Sequence, residues 1–312
     1  MLHIGKEEAE QSLPFGLLVR RLRDAFCADI TVPRRFSLTL PNEDKPKGTA
    51  LIMPAWDGGR YYGVKMVNIF PENFQLGLPG LHSVYVLFDG NTGAPLATMD
   101  GDVITSRRTA AASALGVDLL APEETSELLV VGAGRVGNLL APAILNVRKI
   151  QRVNVWDVVQ ANAERCAAQW QAMDIQAQAV SDLEHAVRSA DIVSCATLAT
   201  SPLIRANWLK TRTHLDLVGS FTPAMTEAEP ACFEDADVWV DTEEAIQKSG
   251  DLLNALRDGN LRAADIKGNL FDLCKQSEQK NQPKRRTVFK AVGSALEDLT
   301  AAILIFEEAM AR

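Results

Sequence analysis

Apolar and polar positions change rhythm along this chain near Thr105. Before that point short apolar runs at 36–40, 50–53, 63–68 and 84–88 predict strands. Turn signals separate them at Pro41-Asn42, Asp57-Gly58-Gly59, Leu78-Pro79-Gly80 and Asp89-Gly90-Asn91. Short strands at this spacing predict an antiparallel sheet or half-barrel. Residues 109–120, rich in Ala and Leu, predict a helix that Ala121-Pro122 breaks. Strand-like and helix-like patterns then alternate. Strands are predicted at 128–132, 152–156, 175–180, 192–196, 214–218 and 238–241, and helices at 136–146, 160–173, 183–189 and 242–248. That alternation predicts a doubly wound parallel sheet. Residues 287–311 read as one amphipathic helix beyond the α/β region, placed to pack back on the N-terminal part.

The apolar run Leu128-Leu129-Val130-Val131 ends in Gly132-Ala133-Gly134-Arg135-Val136-Gly137, a G-x-G-x-x-G turn between a predicted strand and a predicted helix. In such a turn Gly132 permits the tight bend, Gly134 lets a pyrophosphate approach the backbone, and Gly137 lets the helix pack closely. The helix amino end offers N–H groups and the positive end of its dipole to the phosphates. Asp157 ends the next predicted strand, 20 residues after Gly137. A carboxylate there suits the adenosine ribose hydroxyls and repels a 2′-phosphate. Val158-Val159-Gln160 follow it with no basic residue, which favours NAD, with NADP as the alternative.

Length and charge narrow the class further. A chain of 312 residues predicts about two domains. The formal net charge of −8 argues against a nucleic-acid partner. The one dense basic cluster, Lys284-Arg285-Arg286, reads as a solvated loop. No apolar stretch approaches the ~18 residues a membrane span needs. The charged N-terminus does not read as a secretory signal, so a soluble, cytoplasmic protein is expected. The five cysteines lack C-x-x-C spacing and no histidine pair has ligand spacing, so no metal is expected.

Several motifs together resemble the ornithine cyclodeaminase/mu-crystallin family. They are Met53-Pro54, Gly63-Val64-Lys65 with Val67-Asn68, Leu78-Pro79-Gly80, and Asp100-Gly101 with Ile104-Thr105 and the run Arg108-Thr109-Ala110-Ala111-Ala112-Ser113. Beside the glycine turn come Val218-Gly219-Ser220, Ser249-Gly250-Asp251-Leu252, Thr287-Val288-Phe289-Lys290 with Val292-Gly293, and Glu297-Asp298. The resemblance implies a Rossmann domain, a doubly wound parallel sheet at 113–289. It also implies a smaller α+β substrate and dimerisation domain at 1–112, completed by a C-terminal helix at 290–312. Two such smaller domains would close a shared barrel in a homodimer.

The resemblance further implies a small carboxylate-bearing amino or imino acid as partner, with Arg35, Lys65 and Arg108 as its catalytic-site residues. Arg34 and Arg107 are the neighbouring alternatives. Guanidinium groups grip a carboxylate through paired charge-assisted hydrogen bonds, and a lysine supplies a point charge or a proton. On the cofactor side Arg135 and Val136 would meet the pyrophosphate, while Thr197, Val218, Gly219 and Ser220 would line the nicotinamide pocket. The cyclodeaminase branch carries an acid two places after its Val-Gly pair; here that position is Phe221, which cannot act as a base. Asp216 and Glu227 lie nearby, but their offset does not replace it. The Gly219-Ser220-Phe221-Thr222-Pro223 form resembles family members that reduce cyclic ketimines such as pyrroline-2-carboxylate and piperideine-2-carboxylate. An NAD(P)H-dependent reductase is therefore expected. The alternatives are an ornithine cyclodeaminase or alanine dehydrogenase-like enzyme, and a non-catalytic dinucleotide-bound binding protein.

Overall fold

The structure, a computed structural model, describes residues 1–42, 45–276 and 283–312. The chain forms two compact units, Met1–Arg108 with Ser294–Arg312, and Thr109–Gly293. No helix among the described residues is long and apolar enough to cross a membrane.

In the first unit the chain runs β1 (Leu2–Ile4), α1 (Lys6–Gln11), α2 (Phe15–Cys27), β2 (Ile30–Thr31), β3 (Phe36–Asn42), β4 (Lys45–Asp57), β5 (Tyr61–Ile69), β6 (Leu81–Asp89) and β7 (Pro95–Asp100). Its sheet has the order β1-β7-β6-β5-β4-β2, with β3 also paired to β4. All pairs are antiparallel except β1 with β7, so the sheet is mixed rather than purely antiparallel. Alternation along β4, β5 and β6 turns Met53, Ala55, Gly63, Lys65, Val67, Tyr85 and Leu87 inward, where all are buried. Gly63 is required on this face, because a Cβ there would collide with the Tyr85 hydroxyl. The strand reading of residues 1–110 omits α2, although its buried Phe15, Leu18, Val19, Leu22, Ala25 and Phe26 recur at helical spacing.

Helix α3 (Gly101–Leu120) begins eight residues before the predicted 109. The Asp100 carboxylate accepts from the N–H groups of Asp102 and Val103 at 2.9 and 2.8 Å and starts the helix there.

The second unit continues with β8 (Glu127–Val131), α4 (Gly137–Ile144), β9 (Arg152–Trp156), α5 (Gln160–Gln171), β10 (Ala177–Ala179), α6 (Leu183–Ser189), β11 (Ile192–Cys195) and β12 (His214–Leu217). Then come β13 (Asp237–Val240), α7 (Glu244–Lys248), α8 (Gly250–Arg257), β14 (Ile266–Asn269), α9 (Leu270–Lys275) and β15 (Thr287–Lys290). The eight strands are all parallel in the order β10-β9-β8-β11-β12-β15-β13-β14. The order reverses between β8 and β11, which is where ligands bind in doubly wound sheets.

One expectation is corrected here. Residues 287–311 are not one helix: β15 is a fully buried strand between β12 and β13, and the last helix, α10 (Ala295–Ala311), starts only after Gly293 at φ +82°. The Thr-Val-Phe run favours extended backbone, and the left-handed glycine separates it from the helix. The basic cluster is the expected loop, with Lys284 and Arg285 exposed, and its arginines tether it. Arg285 binds Asp237 at 2.7 Å, and Arg286 donates to the carbonyl of Cys232 at 3.1 Å.

Helix α4 follows the glycine turn and contains Pro142. Proline has no N–H to give the carbonyl of Asn138, one turn earlier. The indole N–H of the buried Trp170 donates to that carbonyl instead, at 2.8 Å, and ties α5 to α4. A Trp170→Phe substitution is expected to leave that carbonyl unpaired and destabilise the protein by about 1–3 kcal/mol. Urea unfolding checks this, and an unchanged midpoint would contradict the role assigned to the indole.

Candidate functional site

Lys65 enters the first unit from the inward face of β5 and is buried at 1% exposure, an arrangement that demands partners for its charge. Its Nζ donates to Asp298 at 2.7 Å and to Thr105 Oγ1 at 3.1 Å. Thr105 and Arg108 lie three residues apart on α3 and so share a face. Arg108 Nε donates to Asp298 at 2.8 Å and its Nη1 to Glu297 at 2.9 Å. Both acids are fully buried in the first turn of α10, where the positive helix end favours them. Arg35, partly buried ahead of β3, is near enough for its charge to be felt at Lys65.

Lys65 and Arg108 thus share two buried carboxylates, and the Arg35 charge bears on Lys65. Burial pulls Lys65 down to about 8, against the Asp298 carboxylate, with Arg108 and Arg35 adding to the fall. Burial would raise Asp298, but Lys65 and Arg108 hold it below the ordinary carboxylate range. Burial disfavours charge on Arg108 too, yet Asp298 and Glu297 leave it more firmly protonated than usual.

The neighbouring alternatives separate clearly. Arg107 donates to the carbonyl of Leu13 at 3.0 and 2.7 Å and stacks on Phe15 at 4.3 Å, so it anchors α2. Arg34 is exposed. Sequence reasoning missed Glu297 and Asp298 as parts of this cluster. Ser294-x-x-Glu297 reads as a helix cap, and placing the helix start at 287 hid it.

In the second unit Gly132 takes φ +100°, with Ala196 O only 2.6 Å from where a Cβ would stand. Gly137 packs against the carbonyl of Gly132, whereas a Cβ on Gly134 would meet nothing within 4 Å. The turn therefore leaves the open approach that a pyrophosphate requires, beside the amino end of α4. Arg135 is exposed and Val136 half-buried at that end. Asp157 Oδ2 accepts from Ala133 N–H at 2.8 Å and its Oδ1 from Val159 N–H at 2.9 Å, so the carboxylate also shapes the turn itself.

At the carboxyl ends of β11 and β12 the side chain of Glu227, which sequence reasoning set aside, binds Thr197 and Gly219. Val218 is buried at 8% exposure. Ser220 is completely buried and donates to the carbonyl of Met225 at 2.5 Å, so its hydroxyl belongs to the frame of the loop rather than its lining. Phe221 is 43% exposed. Asp216 and Glu227 are fully buried; Ser113 and Ser194 donate to Asp216. Burial pushes Asp216 up to about 6 and Glu227 up to about 7, the latter against the nearby Lys290 charge.

Asp298→Asn is expected to move Lys65 further below 8, because the group opposing its desolvation is gone. NMR titration of the Lys65 side chain reads this directly. A value unmoved by the substitution would show that the carboxylate does not hold the charge.

Residues 16–312 match the model of the ornithine cyclodeaminase/mu-crystallin family. A Delta(1)-pyrroline-2-carboxylate reductase of Paracoccus denitrificans is 36% identical, the match covering 96% of this chain and 97% of that protein. Ketimine reductase mu-crystallin of Mus musculus is 31% identical, over 84% of this chain and 81% of its own. Among solved structures, Delta(1)-pyrroline-2-carboxylate reductase of Thermococcus litoralis, in complex with NADH and L-proline, superimposes with a TM-score of 0.92 at 28% identity. That match covers 100% of this chain and 98% of the other.

Proposed function

Because the chain belongs to the ornithine cyclodeaminase/mu-crystallin family, we propose that it is a nicotinamide-dependent reductase of cyclic imino acids of the pyrroline-2-carboxylate and piperideine-2-carboxylate type. The observation that carries this reading is the buried pairing of Lys65 and Arg108 with two fixed carboxylates, with the Arg35 charge near enough to bear on Lys65. Arg108 and Arg35 hold the substrate carboxylate. Lys65 gives a proton to the ketimine nitrogen and is left as the neutral amine. When bound, the reduced nicotinamide supplies the hydride that the C=N carbon accepts. Proton and hydride together convert the imine to the secondary amine.

The cofactor is held at Gly132, Gly134, Arg135, Val136 and Gly137, with Asp157 beside the adenosine ribose and NAD preferred over NADP. Thr197, Val218 and Gly219 flank the nicotinamide. Phe221 replaces the acid that cyclodeamination uses and offers an apolar surface to the substrate ring. A reduction needs no base at that position.

The protein is proposed to act as a homodimer. The outward residues of the first-unit sheet are apolar as well: Phe36 and Leu38 on β3, Trp56 on β4, Met66 on β5 and Val84 on β6 are 39–60% exposed. A monomer rarely leaves such a face uncovered, and a second copy of the same sheet would cover it, as the family's shared barrel requires.

Purified protein mixed with NADH and pyrroline-2-carboxylate is expected to consume NADH, followed at the nicotinamide absorbance band. Ornithine with NAD should release no ammonia. Ammonia from ornithine without net change in NADH would overturn the reductase reading. Because the donor must be protonated, kcat/KM should hold below pH 8 and fall about tenfold per unit above it. Lys65→Ala should lose most of the turnover, and unchanged kinetics would remove Lys65 from the chemistry. Val84→Lys, a charge in the centre of the outer face, is expected to shift sedimentation from dimer to monomer; an unshifted dimer would place the interface elsewhere.

A further inference from the structure

We propose that Glu227 is a positioning residue for the nicotinamide end of the dinucleotide, a strut that fixes the spacing between the chain segments leaving β11 and β12. The inference rests on the dinucleotide reading above. The glycine turn after β8 takes the pyrophosphate. The sheet order puts β9, with Asp157, on one side of β8 and puts β11 and β12 on the other. A dinucleotide lying across the carboxyl ends therefore has its adenosine half over β9 and its nicotinamide half over β11 and β12.

The two oxygens of the Glu227 carboxylate divide between those two strand ends. Oε1 accepts from Thr197 N–H at 2.7 Å and from Thr197 Oγ1 at 2.8 Å. Oε2 accepts from Gly219 N–H at 2.7 Å. The fit is close enough that a Cβ on Gly219 would strike both Glu227 Oε1 and the carbonyl of Thr197.

Glu227 is itself anchored from behind. Its N–H donates to Asp251 at 2.7 Å, and its carbonyl accepts from Leu203 and Ile204 at 2.8 and 3.0 Å. Asp251 also takes Ala228 N–H at 3.2 Å and the hydroxyl of Thr226 at 2.9 Å. Lys290 lies 3.8 Å from Asp251 and donates to the carbonyl of Leu217, at the end of β12, at 2.9 Å. Glu227, Asp251 and Lys290 are all fully buried. A carboxylate committed in this way touches no ligand. It acts through the backbone that does, and displacement of that backbone by about 1 Å is enough to matter for hydride transfer.

The test compares NADH with ADP-ribose, which lacks the nicotinamide, on the full-length protein. In Glu227→Gln the amide turns an N–H donor towards one of the two strand ends. NADH affinity should fall about tenfold while ADP-ribose affinity stays within about twofold. Glu227→Asp, which keeps the charge but shortens the strut by one methylene, should weaken NADH about threefold and leave ADP-ribose unchanged. It serves in place of Glu227→Gln if that variant does not fold. Equal weakening of both ligands, or unchanged NADH binding in a folded variant, overturns the positioning role while leaving the reductase reading intact. Unmutated protein that binds neither ligand would sink the dinucleotide reading and this inference with it.

Discussion

A single carboxylate, Asp298, lies within 3 Å of two buried cations, Lys65 and Arg108. An ammonium taken out of water loses its proton unless an opposite charge is fixed beside it. Without Asp298, Lys65 would be more nearly neutral. Breaking such a pair by removing one partner typically costs about 3–5 kcal/mol, because the other charge stays buried alone. Three elements hold the geometry: β5 turns Lys65 inward, α3 presents Thr105 and Arg108 on one face, and the first turn of α10 carries both acids. The C-terminal helix thus supplies the negative charges that keep Lys65 and Arg108 paired.

The second unit solves a related problem with polar groups inside a parallel sheet. Strands buried on both faces are ordinarily runs of Val, Ile and Leu. Here β12 and β15 carry His214, Asp216 and Lys290, each fully buried. Each has a fixed partner: Thr287 for His214, the hydroxyls of Ser113 and Ser194 for Asp216, the carbonyl of Leu217 for Lys290. Asp241 does similar work at the end of β13, accepting from Val292 and Gly293 N–H at 2.7 and 2.6 Å. Of these, Lys290 and Asp241 set backbone at the carboxyl ends of the strands, the edge where a doubly wound sheet binds its ligands.

Much of this was legible in the residues. The glycine turn identifies itself because its strand, helix and following Asp157 are all local in sequence. The cations Lys65 and Arg108 become legible through their motifs, and Lys65 also through its place on the buried side of an alternating strand. Glu297, Asp298 and Glu227 were harder to see. Asp298 meets Lys65 across more than two hundred residues, and no local spacing reports such a pairing. Their helix was misread at its start because Thr287-Val288-Phe289 and the helix beyond Gly293 both look apolar in sequence. The inward turn of the Ser220 hydroxyl depends on a carbonyl five residues ahead, on a loop with no repeating pattern.

The most direct test of the cation cluster is an experimental structure of the protein with NADH and L-proline bound. The account predicts the proline carboxylate within hydrogen-bond distance of Arg108 and Arg35 and the proline nitrogen within reach of Lys65, with Asp298 still joining Lys65 and Arg108. A carboxylate bound elsewhere, with Lys65 and Arg108 engaged only with Asp298 and Glu297, would contradict it.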